Sequence, residues 1–242
     1  LGSLTLALLE VGARVRAVEI DPPLASALPE TIRSRMGEAS GRFHVVTMDA
    51  TEITGNEDFG VDWPPPTKLV ANLPYNVAVP VLLNMLDAFP TIEAVVVMVQ
   101  AEVADRLAAD PGSRTYGVPS AKVSWYGEAA RGAKISRNVF WPIPNVDSAL
   151  VNFRRHGALP QPQADVAGLA LAGVSREDVF AVIDAAFAQR RKTLRAALAA
   201  WAGSAARAED LLVVAGIDPK ARGEQLGIAE FAAIARAASA LP

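Results

Sequence analysis

Val70-Ala71-Asn72-Leu73-Pro74-Tyr75-Asn76 is where an apolar run stops abruptly on an amide, a proline and an aromatic ring. Lys68 to Ala71 reads as a short buried strand, which puts Asn72 at its carboxyl end, where open parallel sheets hold their ligands. Pro74 lacks an N–H and has a fixed φ, so it stiffens the turn and is expected to leave the neighbouring carbonyls facing outward. Working outward, three further apolar runs end the same way: Val15 to Ile20 on Glu19 and Asp21, Phe43 to Met48 on Asp49, and Ala94 to Val99 on Gln100. Helices are expected between most of them, over Leu24 to Met36 and, apolar enough to be buried, Val77 to Phe89, with a further one over Ala101 to Ala109 after the last run. This alternation predicts an α/β domain, a doubly wound and mostly parallel sheet whose ligands sit along its carboxyl edge.

The edge residues suggest a chemistry. An amide oxygen and a backbone carbonyl side by side can accept both hydrogens of an exocyclic amino group while a ring stacks on the base that carries it, a grip for an extruded adenine or cytosine. The plainer alternative is a strand and a proline turn in which Asn72 merely caps the next helix. Glu19, at the tip of the second strand of such a sheet, is placed to accept two hydrogen bonds from a ribose diol, whereas Asp21 reads as a helix cap.

Composition narrows the options. With 242 residues, 51% of them apolar, the chain can bury one large core or one core and a smaller one. It has no run of 18 apolar residues and no signal-peptide pattern, so a non-exported protein without membrane spans, resident in the cytoplasm, is expected. The absence of cysteine excludes disulfides, zinc–thiolate sites and a cysteine nucleophile, and two histidines, His44 and His156, make a histidine metal site improbable; no metal is expected. A net charge of −3 is awkward for a nucleic-acid binder, but the acidity is concentrated at the start: residues 1–70 hold 6 basic and 10 acidic side chains, residues 71–242 hold 17 and 16.

Leu1, Leu4, Leu8 and Val11 share one helical face, with Gly12 as the stop, so the chain opens in a helix without the strand and glycine-rich turn a doubly wound domain needs before it. We therefore expect a fragment of a longer protein; a polypeptide truly beginning at Leu1 would have weak or no activity. Further along, Ala129 to Ser136 and Ser148 to Arg154 read as strands joined by the stiff loop Phe140-Trp141-Pro142-Ile143-Pro144-Asn145, in which Phe140 is either a second face for a base clamp or a plug over the core. The pattern over Ser120 to Tyr126 fits helix or strand. Residues 157–163 read as a linker, and only helices follow, over Val179 to Ala188, Thr193 to Ala200, Ala208 to Ala215 and Ile228 to Ala238. Arg190, Arg191, Lys192 and Arg195 crowd four cations into six residues beside Phe187, which should anchor in the core; they form a phosphate-contacting patch or simply a solvated face. Gly216-Ile217-Asp218-Pro219 reads as a helix stop followed by a new start, with Asp218 as N-cap.

Taken together the chain resembles the S-adenosylmethionine-dependent rRNA adenine N6-dimethyltransferases that modify a small-subunit rRNA hairpin. The matching stretches are Leu4-Thr5, Val18-Glu19-Ile20-Asp21, Asp49-Ala50, Asn72 to Asn76, Gln100-Ala101-Glu102-Val103, Phe140 to Pro144, Val146-Asp147-Ser148, Phe187 with Arg190 to Leu194, and Gly216 to Pro219 with Arg222 and Glu224. The resemblance implies a Rossmann-like methyltransferase domain over 1–156 and a small all-α rRNA-binding domain over 157–242. It implies S-adenosylmethionine as cofactor, with Glu19 at its ribose, Asp49 at its adenine amino group, Ile20 and Ala50 also in the cofactor site, and Asn72 between cofactor and target. It also implies that Asn72 and the Pro74 carbonyl hold the target N6, that Tyr75 stacks on the ring, with Phe140 as its clamp partner, and that Arg190, Arg191, Lys192 and Arg195 meet the rRNA. Expected partners are the small ribosomal subunit and its rRNA, with a role in subunit biogenesis, and nothing in the sequence requires an oligomer, so a monomer is expected. A resistance methyltransferase acting on large-subunit rRNA shares the Asn-Leu/Ile-Pro-Tyr/Phe core but fits the Arg190 to Leu194, Gly216 to Pro219 and Phe140 to Ser148 stretches less well. A mainly structural ribosome-assembly checkpoint is the alternative from another class.

Overall fold

The computed structural model describes residues 2–157, 171 and 173–241, and the chain forms two compact units, Leu1–Glu93 and Ala94–Pro242. In the first, helix α1 (Ser3–Glu10) leads to strand β1 (Val15–Glu19), helix α2 (Pro22–Met36), strand β2 (Phe43–Thr47), strand β3 (Lys68–Asn72) and helix α3 (Ala78–Ala88). Strands β1 and β2 pair in parallel, from Val15 opposite Phe43 to Glu19 opposite Thr47. Helix α2 begins where Asp21 Oδ1 accepts the Leu24 N–H at 3.2 Å, with Pro22 and Pro23 in its first turn, where a missing N–H is harmless. Asp21 is thus the cap that the sequence indicated. Helix α3 buries Ala78, Val81, Leu82, Met85 and Leu86, the i, i+3, i+4, i+7, i+8 stripe of a core-facing helix.

The opening helix ends at Glu10, just short of Gly12 at φ 88°, as the sequence indicates. Val11 is 80% exposed and Leu4 is also exposed, whereas Leu9 is completely buried. The inward line therefore runs through Leu9 and the half-buried Thr5, Leu6 and Gly2, three to four residues apart, as α1 packs on β1 and α2. Gly2 caps this helix at φ 86°, and a Cβ there would lie 2.6 Å from Leu28 Cδ1, so glycine is demanded by conformation and by space alike.

The second unit contains strand β4 (Ala94–Gln100), helix α4 (Ala101–Leu107), helix α5 (Val118–Val123), strand β5 (Gly127–Ile135) and strand β6 (Ser148–Arg155). Strand β6 runs antiparallel to both β4 and β5, so the fold mixes a parallel pair with an antiparallel hairpin, and the ambiguous Ser120 region is helical. Gly127 opens β5 where any Cβ would come within 2.1 Å of the Arg154 carbonyl oxygen, so the two strands close up only because the side chain is absent. The helices that follow are α6 (Arg176–Ala188), α7 (Leu194–Ala197), α8 (Ala199–Ala202), α9 (Ala205–Val214) and α10 (Ile228–Ala240). The single helix expected over Thr193 to Ala200 is broken at Leu198 into α7 and α8. Beyond Gly157, the expected linker lies outside the described residues.

Tyr116, Ala121 and the helices α6 to α10 share one apolar core, in which Phe187 lies 6.0 Å from the ring of Tyr116 and 6.2 Å from that of Phe231. Phe187 is thus the anchor the sequence predicts. Buried Tyr116 donates its hydroxyl to the Leu226 carbonyl at 2.8 Å, across 110 residues of sequence. Burial, with a smaller contribution from Glu230, holds its phenol well above the ordinary tyrosine pKa. Among the described residues no helix is long and apolar enough to cross a membrane.

Candidate nucleotide and nucleic-acid sites

Parallel pairing of β1 with β2 decides where two carboxylates stand. The Met48 N–H donates to the Glu19 carbonyl at 3.1 Å, extending the ladder one step past the Glu19–Thr47 pair, so Glu19 and Asp49 emerge together at the carboxyl end of adjacent strands. Glu19 accepts the Asp21 N–H at 3.0 Å through Oε1 and lines a small cleft with Gly2, Leu24, Ala27, Leu28 and Thr31. Asp49 uses Oδ1 for both the N–H and the hydroxyl of Thr51, each at 2.8 Å. These bonds, the backbone one foremost, hold its carboxyl below the ordinary aspartate range and leave Oδ2 for a donor. Ile20, by contrast, is 64% exposed. Ala50, next to Asp49, is half-buried.

Asn84 was not singled out by sequence reasoning. From α3 its Nδ2 donates to the Ala50 carbonyl at 3.0 Å and the Ile53 carbonyl at 2.8 Å, tying the loop after Asp49 to the helix that follows the Asn72 turn. A lone amide in the apolar run Val77 to Phe89 was the available signal, since a partly buried amide needs partners.

Asn72 ends β3 with an exposed side chain that makes no hydrogen bond to another described residue. Leu73 is buried beneath it and Tyr75 is half-buried. The Pro74 carbonyl accepts the Val77 N–H at 3.2 Å, closing the turn into α3. One lone pair of that oxygen remains for an outside donor. Asn72 and Pro74 thus offer two acceptors within three residues of chain.

Phe140 belongs to the second unit and is half-buried at the end of a short 3-10 turn over Arg137–Val139. Of the four cations near Phe187, Arg190 bonds Glu224 at 2.9 Å and the Arg114 carbonyl at 2.7 Å, and Arg195 bonds Glu209 at 2.6 Å. Arg191 and Lys192 are exposed and form no ion pair among the described residues. The Gly216 to Pro219 stretch lies against this patch: the Arg195 N–H donates to the Pro219 carbonyl at 3.1 Å and the Leu194 N–H to the Ala221 carbonyl at 2.7 Å. Gly216, at φ 73°, ends α9 as anticipated. Asp218 caps no helix; its carbonyl accepts the Ala221 N–H at 2.9 Å and its Oδ1 the Lys220 N–H at 2.9 Å, a side-chain-stabilised turn. That turn is held by its contacts to 194–195, and the next α-helix waits until Ile228.

A family model described as "Ribosomal RNA adenine dimethylase" matches residues 1–239. The chain belongs to the ribosomal RNA adenine dimethylase family. Among its relatives, proteins named "Ribosomal RNA small subunit methyltransferase A" from Streptomyces avermitilis and Thermobifida fusca are 62% and 59% identical over 235 residues, 97% of this chain and 75% and 76% of theirs. Among solved structures, a dimethyladenosine transferase from Plasmodium falciparum aligns with a TM-score of 0.73 at 20% identity, covering 96% of this chain and 84% of that one. The 23S rRNA methyltransferase ErmE aligns at 0.60 and 23%, covering 98% and 87%. At such identities these two likenesses establish the fold of this dimethylase-family chain, a Rossmann-like methyltransferase fold with a helical C-terminal part, and nothing of its substrate.

Proposed function

We propose that this chain dimethylates the exocyclic N6 of two adjacent adenosines in a small-subunit rRNA hairpin, with S-adenosylmethionine as methyl donor, in the cytoplasm and during subunit biogenesis. The observation that carries this reading is the pair of acceptors at the end of β3, the Asn72 side-chain oxygen and the Pro74 carbonyl, in a chain about 60% identical to proteins named for small-subunit rRNA methylation. The donor set fits the cofactor: two carboxylates at one sheet edge, each with an oxygen left over, suit a ribose diol at Glu19 with Ile20 beside it, and an adenine amino group at Asp49 with Ala50 beside it. When bound, S-adenosylmethionine supplies an electrophilic methyl group on a sulfonium.

In this proposal the residues of the chain orient the acceptor amine. The lone pair of an aromatic amine is delocalised into its ring, which makes it a poor nucleophile. Asn72 and Pro74 draw the two N–H bonds out of the ring plane, which localises the lone pair, while Tyr75 fixes the extruded base by stacking; Phe140 is proposed as a further base-stacking ring of the second unit. The surplus proton leaves after transfer, so no strongly basic residue is required and the gain is in positioning and fixed dipoles. Residues 1–156 carry this chemistry and residues 157–242 carry the rRNA contacts, with Arg191 and Lys192 meeting phosphates and Arg190 and Arg195 bracing the patch through Glu224 and Glu209. The test is Tyr75→Ala: methyl transfer to undermethylated small subunits should vanish while subunit binding persists, and wild-type turnover would sink the stacking role.

A further inference from the structure

The loop between β5 and β6 is fastened at its foot and apolar at its tip. At the foot, Asp147 Oδ2 pairs with Lys134 Nζ at 2.8 Å, its Oδ1 accepts the Arg137 N–H at 3.2 Å, and its backbone carbonyl accepts the Ala101 N–H at 3.0 Å. Arg137 also reaches the Asn145 carbonyl at 3.3 Å, and the Phe140 and Val139 N–H groups close back on Arg137 and Ser136. At the tip, Trp141 is 94% exposed, and it makes no hydrogen bond or ring contact to another described residue. Val139 and Ile143 beside it are exposed as well. A tethered loop holding an indole almost wholly in water is a surface built for a partner.

Charge favours one kind of partner: at the foot Lys134 and Arg137 stand against the single carboxylate Asp147, a local excess of one positive charge in a chain whose net charge is −3, while Arg154 and Arg155 lie at the far end of the hairpin opposite Glu128 and Gly127. Between Ser136 and Val146 the only charged side chain is Arg137. The apolar tip is one loop, much smaller than the ~800 Å² per partner that a stable protein interface buries. A flat ring on a cationic foot matches single-stranded nucleic acid, where bases stack on aromatics and phosphates meet cations.

We propose that Trp141 is a nucleobase-stacking residue that grips an unpaired base of the substrate RNA, presented by the loop that Asp147 fastens. This rests on the rRNA methylation reading above. It adds a recognition contact that the acceptor pair at Asn72 and Pro74 does not supply, and it acts on RNA affinity rather than on the transfer step.

The test compares wild type, Trp141→Ala and Trp141→Phe, in methyl transfer to undermethylated small subunits and in binding to a protein-free transcript of the same rRNA. Trp141→Ala should raise KM for the subunit about tenfold, the equivalent of ~1.4 kcal/mol and within the range for one stacked base. The affinity for the transcript should fall by a similar factor, S-adenosylmethionine affinity should stay unchanged, and Trp141→Phe should restore most of the loss. The wild-type fluorescence in excess of the Trp141→Phe protein should be quenched by the transcript. An unchanged KM in Trp141→Ala overturns the proposal. A loss confined to whole subunits, with transcript binding intact, also overturns it and places a ribosomal protein on the loop. Wild-type protein that fails to methylate yet shows Trp141-dependent quenching by the transcript would refute the activity and leave the stacking contact standing.

Discussion

Asn84→Leu isolates what holds the loop beside Asp49. In the native fold one amide nitrogen donates to two carbonyls, those of Ala50 at 3.0 Å and Ile53 at 2.8 Å. Leucine matches the side chain in size and donates nothing, so both bonds go without opening a cavity. Each neutral bond contributes about 0.5–1.5 kcal/mol net, so the two together contribute roughly 1–3 kcal/mol. Because they fasten a loop rather than an element of the core, much of that loss should appear as local loosening of residues 50–53, which the bound cofactor would have to reorder. At about 1.4 kcal/mol, cofactor affinity falls roughly tenfold. Isothermal calorimetry with S-adenosylmethionine reads the affinity and hydrogen exchange at 50–53 reads the loosening. Asn84→Asp should be worse still, because a carboxylate faces the same two carbonyl oxygens with no hydrogen to offer. An Asn84→Leu protein with unchanged cofactor affinity and unchanged exchange would mean that Asn84 does not hold the 50–53 loop in place.

Glu19→Ala should weaken cofactor binding by roughly 1–3 kcal/mol, the cost of leaving ribose hydroxyls unpaired, and an unchanged calorimetric affinity would remove Glu19 from the ribose. Tyr116→Phe should lower the melting temperature at neutral pH by the loss of the bond to Leu226, worth about 1 kcal/mol. It should also flatten the alkaline arm of the stability profile. The folded phenol has a raised pKa, so its contribution is full below the unfolded value near 10 and is lost as pH climbs beyond it, where the unfolded chain ionises first; wild-type stability that holds level above pH ~10 would contradict this. For Asp49, whose carboxyl is held low, the sign is opposite: its contribution is present at neutral pH and fades as pH falls through the acid range, so Thr51→Val should lower stability at neutral pH and flatten the acid arm of the profile, as followed by circular dichroism.

The early strands were legible because period and punctuation agreed: an apolar run closed by a charged or amide residue marks a strand end, and Asp21 before two prolines marks a helix start. The opening helix and its stop near Gly12 were legible too, but which of its residues face inward is decided by what lies opposite, and β1 and α2 cover Leu9. Asp218-Pro219 was read as a cap because local chemistry allows a cap or a turn equally, and the choice falls to bonds from residues 194 and 195 that no local pattern reveals. The Val77 N–H that bonds the Pro74 carbonyl likewise belongs to the helix that follows and could not be read from the turn itself. The placement of Glu19 and Asp49 at the ends of adjacent strands was legible from the strand pattern alone. Asn84 was not, because its role lies in a tertiary contact with a loop more than 30 residues earlier.

Transfer of labelled methyl from S-adenosylmethionine to undermethylated small ribosomal subunits, followed by digestion of the rRNA and separation of its nucleosides, tests the central claim most directly. Label is expected in small-subunit rRNA, recovered as N6,N6-dimethyladenosine and absent with Tyr75→Ala. Label confined to large-subunit rRNA, or none in either subunit, would contradict it.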